Sequence, residues 1–87
     1  MRFEKKCWPE FFQSILDGKK KFEVRLADFD AKEGDVLVLR EWDPEKKEYT
    51  GRSLEKRISY VAKINDFPFY SKEQLDEFGL MVLSLDD

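Results

Sequence analysis

The stretch Val36-Leu37-Val38-Leu39 is a continuous run of four apolar residues. Because successive side chains of a strand point to opposite faces, such a run indicates a strand that is covered on both faces or lines a closed barrel. Glu33-Gly34-Asp35 precedes the run as a predicted turn, and the strand continues into Arg40-Glu41-Trp42. This stretch therefore favours a small closed or half-closed barrel.

The residues after this strand predict an antiparallel return. A charged hairpin loop containing a proline spans residues 43–48, and Tyr49-Thr50-Gly51-Arg52 brings the chain back. A long strand is then predicted over 54–64. Its apolar residues alternate with largely polar ones, and we expect them to face the core. They are Ile58, Tyr60, Ala62 and Ile64.

The C-terminal part of the chain predicts a loop, a short helix and a last strand. The loop spans 65–70 and is rich in aromatic residues. Ser71-Lys72-Glu73-Gln74 has the spacing of a capping box, so a short helix or turn over 75–78 should follow. The last strand is predicted over 80–85.

The N-terminal part predicts a weak strand over 3–7 and then a helix. Pro9 suits the first helical position, and Gly18 is placed as the C-terminal cap. Apolar residues at helical spacing predict a helix face that packs in the core. For Trp8, a binding role is the alternative. These residues are Trp8, Phe11, Phe12, Ile15 and Leu16.

The segment Gly18–Arg25 is the densest local concentration of side chains that could carry chemistry, and a strand begins near Lys21. Alternation places Lys21, Glu23 and Arg25 on one face, with the carboxylate about 6–7 Å from each cation along the strand. The other face should be core, and it carries Phe22, Val24 and Leu26. From the residues alone, a solvated charge run is the preferred explanation of the three lysines, and contact with phosphate oxygens is the alternative.

Composition bounds the class of protein. The 87 residues predict a single domain over 1–87, and 41% hydrophobic residues support a folded core. A single cysteine and the lack of a signal or membrane-spanning segment predict a soluble cytoplasmic protein. Histidine is absent, which excludes a histidine base and makes zinc unexpected. No cofactor, metal or membrane partner is predicted.

Charge is distributed unevenly along the chain. The formal net charge is −3, yet residues 1–25 hold seven Lys/Arg and four Asp/Glu, a net +3, and residues 26–87 a net −6. A polyanionic partner would therefore meet a local patch rather than a basic protein.

The pattern G-x-K-x-x-E-x-R formed by Gly18, Lys20, Glu23 and Arg25 resembles the ASCH domain, a relative of the PUA fold. The likeness spans nearly the whole chain and is greatest to small stand-alone, uncharacterised ASCH-like proteins. Five further stretches carry it: Trp8-Pro9-Glu10, Gly34-Asp35 before the apolar strand, Leu39–Asp43, Tyr49–Arg52 and the closing strand Gly79–Leu85.

This resemblance implies an α+β, mainly β fold: a small barrel of five or six strands with one or two short helices at its side. It also implies a cleft at Gly18–Arg25, proposed in the family to bind RNA. One bacterial branch of the family hydrolyses acetylcytidine with a lysine, a threonine three residues on and a later glutamate. Lys20 matches that lysine, but Glu23 stands where the threonine nucleophile would be. Glu73 and Glu77 are nearby candidates for the third residue.

We predict a binding module for RNA or a nucleotide-like ligand. One alternative is a hydrolase of a modified nucleoside that uses Lys20 and Glu23. Another is a protein-interaction domain that uses the acidic hairpin and tail. The predicted binding residues are Lys19, Lys20, Lys21, Glu23, Arg25, Arg40, Trp42, Tyr49 and Arg52.

Several of these residues have two explanations. Glu23 and Arg25 form a same-face ion pair, or Arg25 offers its planar fork to a phosphate or base edge while Glu23 accepts from a base amino group or ribose hydroxyl. Tyr49 is expected to be exposed and Tyr60 to be core, although either could stack on a base. Cys7 is expected to be buried and unreactive, since no histidine can activate it.

Overall fold

The computed structural model describes residues 1–63, 73, 76 and 79–86. In this part the chain forms five strands and one helix. They are β1 (Arg2–Cys7), α1 (Pro9–Leu16), β2 (Phe22–Leu26), β3 (Val36–Asp43), β4 (Glu48–Lys63) and β5 (Leu80–Asp86). The predicted loop over 65–70, the capping box at 71–74 and the helix over 75–78 lie outside the described residues, except for Glu73 and Asp76.

The five strands form one curled sheet in the order β1-β3-β4-β5-β2. Parallel pairing joins β1 to β3, and antiparallel pairing joins the other neighbours. The sheet is a half-barrel, which confirms the predicted small, mainly β, barrel-like fold. Strands β1 and β2 are consecutive in the chain but lie at opposite edges of the sheet.

The core is formed by buried side chains of this sheet and of α1. As the apolar run predicted, Leu37, Val38 and Leu39 of β3 are all buried, and Val36 is half-buried. The largest fully buried side chains come from α1 and three strands: Phe12, Ile15, Leu37, Leu39, Ile58, Met81 and Leu83.

Only part of the predicted helix face enters the core. Phe12 and Ile15 are buried, three positions apart, and α1 contacts β3. Trp8, Phe11 and Leu16 are about half-exposed, so their prediction as core was wrong. The helix has eight residues and contacts the sheet along a narrow stripe, which leaves the flanking aromatic side chains outside.

The prediction that Tyr60 is core was also wrong, because its side chain is 58% exposed. The pairing of β4 with β5 shifts register between Ile58 and Tyr60, which face Leu85 and Ser84 respectively. Such a bulge inserts an extra residue and breaks the alternation of faces on which the prediction depended. Ile58, before the shift, is buried as predicted.

Strand β2 has the opposite phase from that predicted. Glu23 is buried and Arg25 is half-buried, whereas the apolar residues are about half-exposed. Burying a charged side chain is tolerated when it is paired and hydrogen-bonded, and Glu23 has two cationic partners. The polar side of β2 therefore faces inward, and the exposed apolar side carries Phe22, Val24 and Leu26.

Candidate functional site

A cleft of about 500 Å³ opens where the end of β1, the start of α1 and strand β2 meet. We call it the aromatic cleft. Among the described residues, its lining combines two aromatic rings, three cationic side chains, one carboxylate and one thiol. Its lining residues are Lys6, Cys7, Trp8, Phe11, Lys20, Glu23, Val24 and Arg25.

The buried carboxylate of Glu23 organises the polar side of the cleft. Lys20 Nζ donates to Oε1 at 2.8 Å, and Arg25 Nε donates to Oε2 at 2.9 Å. The Glu23 residue is only 4% exposed, and the side chains of Lys20 and Arg25 are 19% and 23% exposed. Of the two explanations given for Glu23 and Arg25, the structure shows the ion pair, and the three charged residues of the sequence pattern form one cluster.

The turn after α1 places Lys20 in this cluster. Gly18 has φ +77°, a left-handed conformation that favours glycine, as expected of a C-terminal cap. The backbone N–H groups of Lys19 and Lys20 both donate to the carbonyl of Ser14, at 3.0 Å. These bonds hold the turn against the helix end, so Lys20 can reach Glu23 three residues later.

Arg25 also connects the two edges of the sheet. Its Nη2 donates to the backbone carbonyl of Lys6 on β1, and its Nε donates to the carboxylate of Glu23 on β2. One guanidinium therefore bridges two strands that are not paired with each other, and it does so beside the cleft.

The apolar wall of the cleft is partly open to solvent. Trp8 is 50% exposed and Phe11 is 48% exposed. Lys20 Nζ lies 5.1 Å from the ring centre of Phe11 and 5.3 Å from that of Phe22. An ammonium group thus lies near two aromatic rings, within the distance at which cations and rings attract.

Cys7 lines the same cleft and is buried, as predicted. Burial, and then the nearby Glu23 carboxylate, raise the pKa of its thiol to about 11. Because the thiolate is the reactive form, we expect iodoacetamide to label native protein at pH 8 roughly 100-fold more slowly than urea-unfolded protein. Mass spectrometry measures both rates, with glutathione in the same solution as the calibrating thiol. Equal rates in the two states would contradict the buried placement.

A second group of predicted residues gathers on the outer face of β3 and β4. Trp42 and Tyr49 pair edge to face, with ring centres 5.0 Å apart. The Arg40 guanidinium lies 3.9 Å from the ring centre of Tyr49, and Lys6 Nζ lies 3.8 Å from that of Trp42. Since Lys6 also lines the aromatic cleft, this outer cluster adjoins it.

Arg52 takes part in a different network. Its Nε and Nη2 donate to the buried carboxylate of Glu41 at 2.9 and 2.8 Å, and Nη2 also reaches Gln13 Oε1 at 3.2 Å. Thr50 Oγ1 donates to Glu41 at 2.6 Å. Hydrogen bonds from Arg52, and then from Thr50, lower the pKa of Glu41, against the opposing effect of burial. Arg52 thus ties the β3–β4 hairpin to α1.

The three consecutive lysines have different surroundings. Lys19 is exposed and lines neither cleft, whereas Lys20 lines the aromatic cleft and a smaller one of about 200 Å³. Lys21 lines only the smaller cleft.

Sequence reasoning missed Lys6 and Phe11 as cleft residues and gave Trp8 a binding role only as an alternative. The helical periodicity of Trp8 and Phe11 is the same for a core stripe and for a cleft wall. Lys6 carried no signal of its own, since it lies in an alternating strand.

The described part of the chain contains neither a cluster of metal ligands nor a membrane-spanning helix. No three histidine, cysteine, aspartate or glutamate side chains there gather as a metal site requires. Over the same residues, no helix has the length and apolar character needed to cross a bilayer.

Comparison with known proteins identifies relatives whose functions are not described. Over 64 residues the chain is 38% identical to an uncharacterised 12.9 kDa protein in the GpA 3′ region of Escherichia phage P2. The match covers 74% of this chain and 57% of that protein, so the chain spans little more than half of its relative's length.

The fold resembles the crystal structure of hypothetical protein PH0355, with a TM-score of 0.68 over 99% of this chain and 98% of that one. At 18% identity this likeness concerns the fold alone. Residues 3–83 match the family model of a domain of unknown function, DUF3850. This match covers nearly the whole chain, and the protein therefore belongs to the DUF3850 family.

Proposed function

We propose that the protein is a binding module of ASCH and PUA-like type that takes an unpaired RNA base, or a nucleotide-like ligand, into the aromatic cleft. One observation carries the proposal: two half-exposed aromatic rings and three cationic side chains line the same cleft. Its volume of about 500 Å³ lies in the range of small-molecule sites, roughly 300–1,000 Å³. In this proposal the protein works in the cytoplasm, where its cysteine stays reduced.

Each wall of the cleft has a role in this proposal. Trp8 and Phe11 offer faces on which a base can stack, which is the usual means of holding unpaired bases. Lys6, Lys20 and Arg25 attract phosphate oxygens, and with the carboxylate of Glu23 the described lining residues carry a formal charge of +2. A protein of net charge −3 is as a whole a poor partner for RNA, but this local positive charge provides a surface to which RNA can bind.

The outer cluster extends the same chemistry. Trp42 and Tyr49 provide a second aromatic surface with Arg40 beside it, and Lys6 lies between this surface and the cleft. A single strand with one base in the cleft would reach this surface with its next nucleotides. RNA of several nucleotides should accordingly bind more tightly than a mononucleotide.

Binding of fluorescein-labelled, single-stranded RNA of about ten nucleotides tests the proposal, measured by anisotropy at several salt concentrations. Trp8→Ala should weaken binding roughly 5- to 150-fold, since one base–aromatic stack contributes about 1–3 kcal/mol. Tyr60→Ala is the matched control, because Tyr60 is an exposed aromatic residue outside the cleft lining.

Circular dichroism establishes that both variants remain folded. Absence of RNA binding by the wild type at low salt would refute the function. Binding that survives Trp8→Ala unchanged would refute the site.

A second candidate function follows from the contact between Lys20 and Glu23. An ammonium and a carboxylate 2.8 Å apart at an open cleft are the pair on which the alternative hydrolase would depend. Incubation with N4-acetylcytidine, followed by chromatography, tests it. Conversion to cytidine that is lost in Lys20→Ala but kept in Lys19→Ala would support the enzyme, and an unchanged substrate pool would refute it.

A further inference from the structure

The smaller cleft lies on the other side of Lys20 and is dominated by lysine. We call this cleft of about 200 Å³ the lysine cleft. In the part of the chain that the structure describes, three ammonium-bearing side chains, one carboxylate and two apolar side chains line it. Its lining residues are Ile15, Gly18, Lys20, Lys21, Lys56, Leu85 and Asp86.

The carboxylate in the lysine cleft already has a cationic partner. Both oxygens of Asp86 accept hydrogen bonds from Arg57, from Nε at 3.1 Å and from Nη2 at 2.9 Å. This pairing holds the pKa of Asp86 below its usual range. Lys20 is likewise paired with Glu23. Lys56 has an interaction of its own and is left out of the count. Among the other described residues, three cations (Lys20, Lys21 and Arg57) outnumber the two carboxylates (Glu23 and Asp86), so an anion is the ligand that the charge of the cleft favours.

The backbone of the adjoining turn is not available to an anion. The N–H groups of Gly18, Lys19 and Lys20 donate to the carbonyls of Ile15 and Ser14. An anion in this cleft would therefore be held by lysine side chains, which act as mobile point charges, rather than by a nest of amides. Binding of this kind depends strongly on salt.

Among the described residues, Lys20 alone lines both clefts. Its ammonium contacts Glu23, which lines the aromatic cleft, and the same residue lines the lysine cleft. The two clefts are thus neighbours separated by one side chain. A nucleotide has the same arrangement of parts, since a ribose separates its flat base from its phosphate.

We propose that the lysine cleft is a phosphate subsite, so that the ligand of the aromatic cleft is a nucleoside phosphate, free or within RNA, rather than a bare nucleoside. The base occupies the aromatic cleft, the ribose passes Lys20, and the phosphate lies against Lys20, Lys21 and Lys56. This inference rests on the proposed function and adds the chemical class of the ligand.

The test compares the four ribonucleosides with their 3′- and 5′-monophosphates, at 20 and 200 mM salt. Amide chemical shifts of ¹⁵N-labelled protein report the binding, since they detect even weak ligands whose Kd is in the millimolar range. At low salt, at least one monophosphate should bind about tenfold or more tightly than its nucleoside, because its contacts to lysine are charge-assisted. The preference should shrink at high salt.

Lys21→Ala is the decisive variant, because Lys21 is exposed and lines only the lysine cleft. This substitution should weaken binding of the monophosphate roughly two- to fivefold and leave binding of the nucleoside unchanged. Lys19→Ala is the matched control, because it also removes one lysine but lies outside the lining of both clefts. It should change the binding of neither ligand.

The outcomes separate this inference from the function beneath it. Equal binding of nucleosides and monophosphates, or equal effects of Lys21→Ala and Lys19→Ala, would overturn the phosphate subsite. Failure of every monophosphate to bind at millimolar concentration would overturn it as well. The RNA titration decides the proposed function separately, because it is read on Trp8→Ala, a residue of the aromatic cleft alone.

Discussion

A Glu23→Gln variant is expected to lose about 2–3 kcal/mol of unfolding free energy. The substitution keeps the shape of the side chain but removes the charge that holds Lys20 and Arg25. Removing one partner of a fully buried pair costs about 3–5 kcal/mol, and the partial exposure of these two cations reduces the loss. An amide NH₂ group would also be placed against a cation.

Urea denaturation followed by circular dichroism measures this loss, and the melting temperature should fall by roughly 10–20 °C. Glu45→Gln, in the exposed hairpin loop, is the control and should stay within about 0.5 kcal/mol of the wild type. A double-mutant cycle with Lys20→Met isolates the pair from other effects. A loss for Glu23→Gln as small as that of the control would contradict a buried cluster.

Glu41→Gln should lower the unfolding free energy by about 1–3 kcal/mol at neutral pH, because charge-assisted bonds from Arg52 and Thr50 to a buried carboxylate are weakened. The effect should also depend on pH. The pKa of Glu41 lies below its ordinary value of 4.5 in the folded protein, so the unfolded chain takes up the proton first. Stabilisation by this carboxylate is therefore full above about pH 4.5 and is lost as pH falls through the folded-state pKa.

The difference in unfolding free energy between wild type and Glu41→Gln should accordingly shrink as pH falls below 4.5. Urea titrations at intervals of half a pH unit measure it. Both proteins should still lose stability in acid, because the pKa values of Asp35, Glu55 and Asp86 are lowered too. A difference that stays constant down to acid unfolding would show that the Glu41 carboxylate is not the source of the effect.

The strands were predictable where short-range pattern determines them. The apolar run of β3, the charged hairpin after it and the glycine that ends α1 all follow from neighbours within a few residues. Alternation also placed Glu23 and Arg25 on one face, as observed, but it grouped them with Lys21, whereas the structure pairs Glu23 with Lys20. Lys20 reaches Glu23 from the turn after α1, which the alternation of a strand does not describe.

The facing of β2 could not be read from its alternation. A period of two establishes that Glu23 and Val24 lie on opposite faces, but not which face is inside. Hydrophobicity favoured Val24, whereas the structure turns Glu23 inward, where its carboxylate accepts from two cations. The paired charges decided the phase, and partners of that kind are invisible to a hydrophobic count.

Long-range partners were out of reach for the same reason. The bridge from Arg25 to the Lys6 carbonyl and the network from Arg52 through Glu41 to Gln13 join elements whose pairing the sequence does not state. The prediction of RNA or nucleotide binding depends on this assembled cleft, and it stays a prediction until the titrations above are done.

The strand order has a consequence for synthesis of the protein. Strand β2 provides three lining residues of the aromatic cleft, and among the described strands it pairs only with β5. Leu26 therefore cannot pair until Leu80 has been synthesised. At 5–20 residues per second, a ribosome needs roughly 3–10 s to add the residues between them. During that interval β2 has no neighbour, with its apolar side chains uncovered and Glu23 unburied. The site is therefore among the last parts of the molecule to mature, and a nascent chain that stops before β5 carries all of the cleft's lining residues without the strand that positions β2.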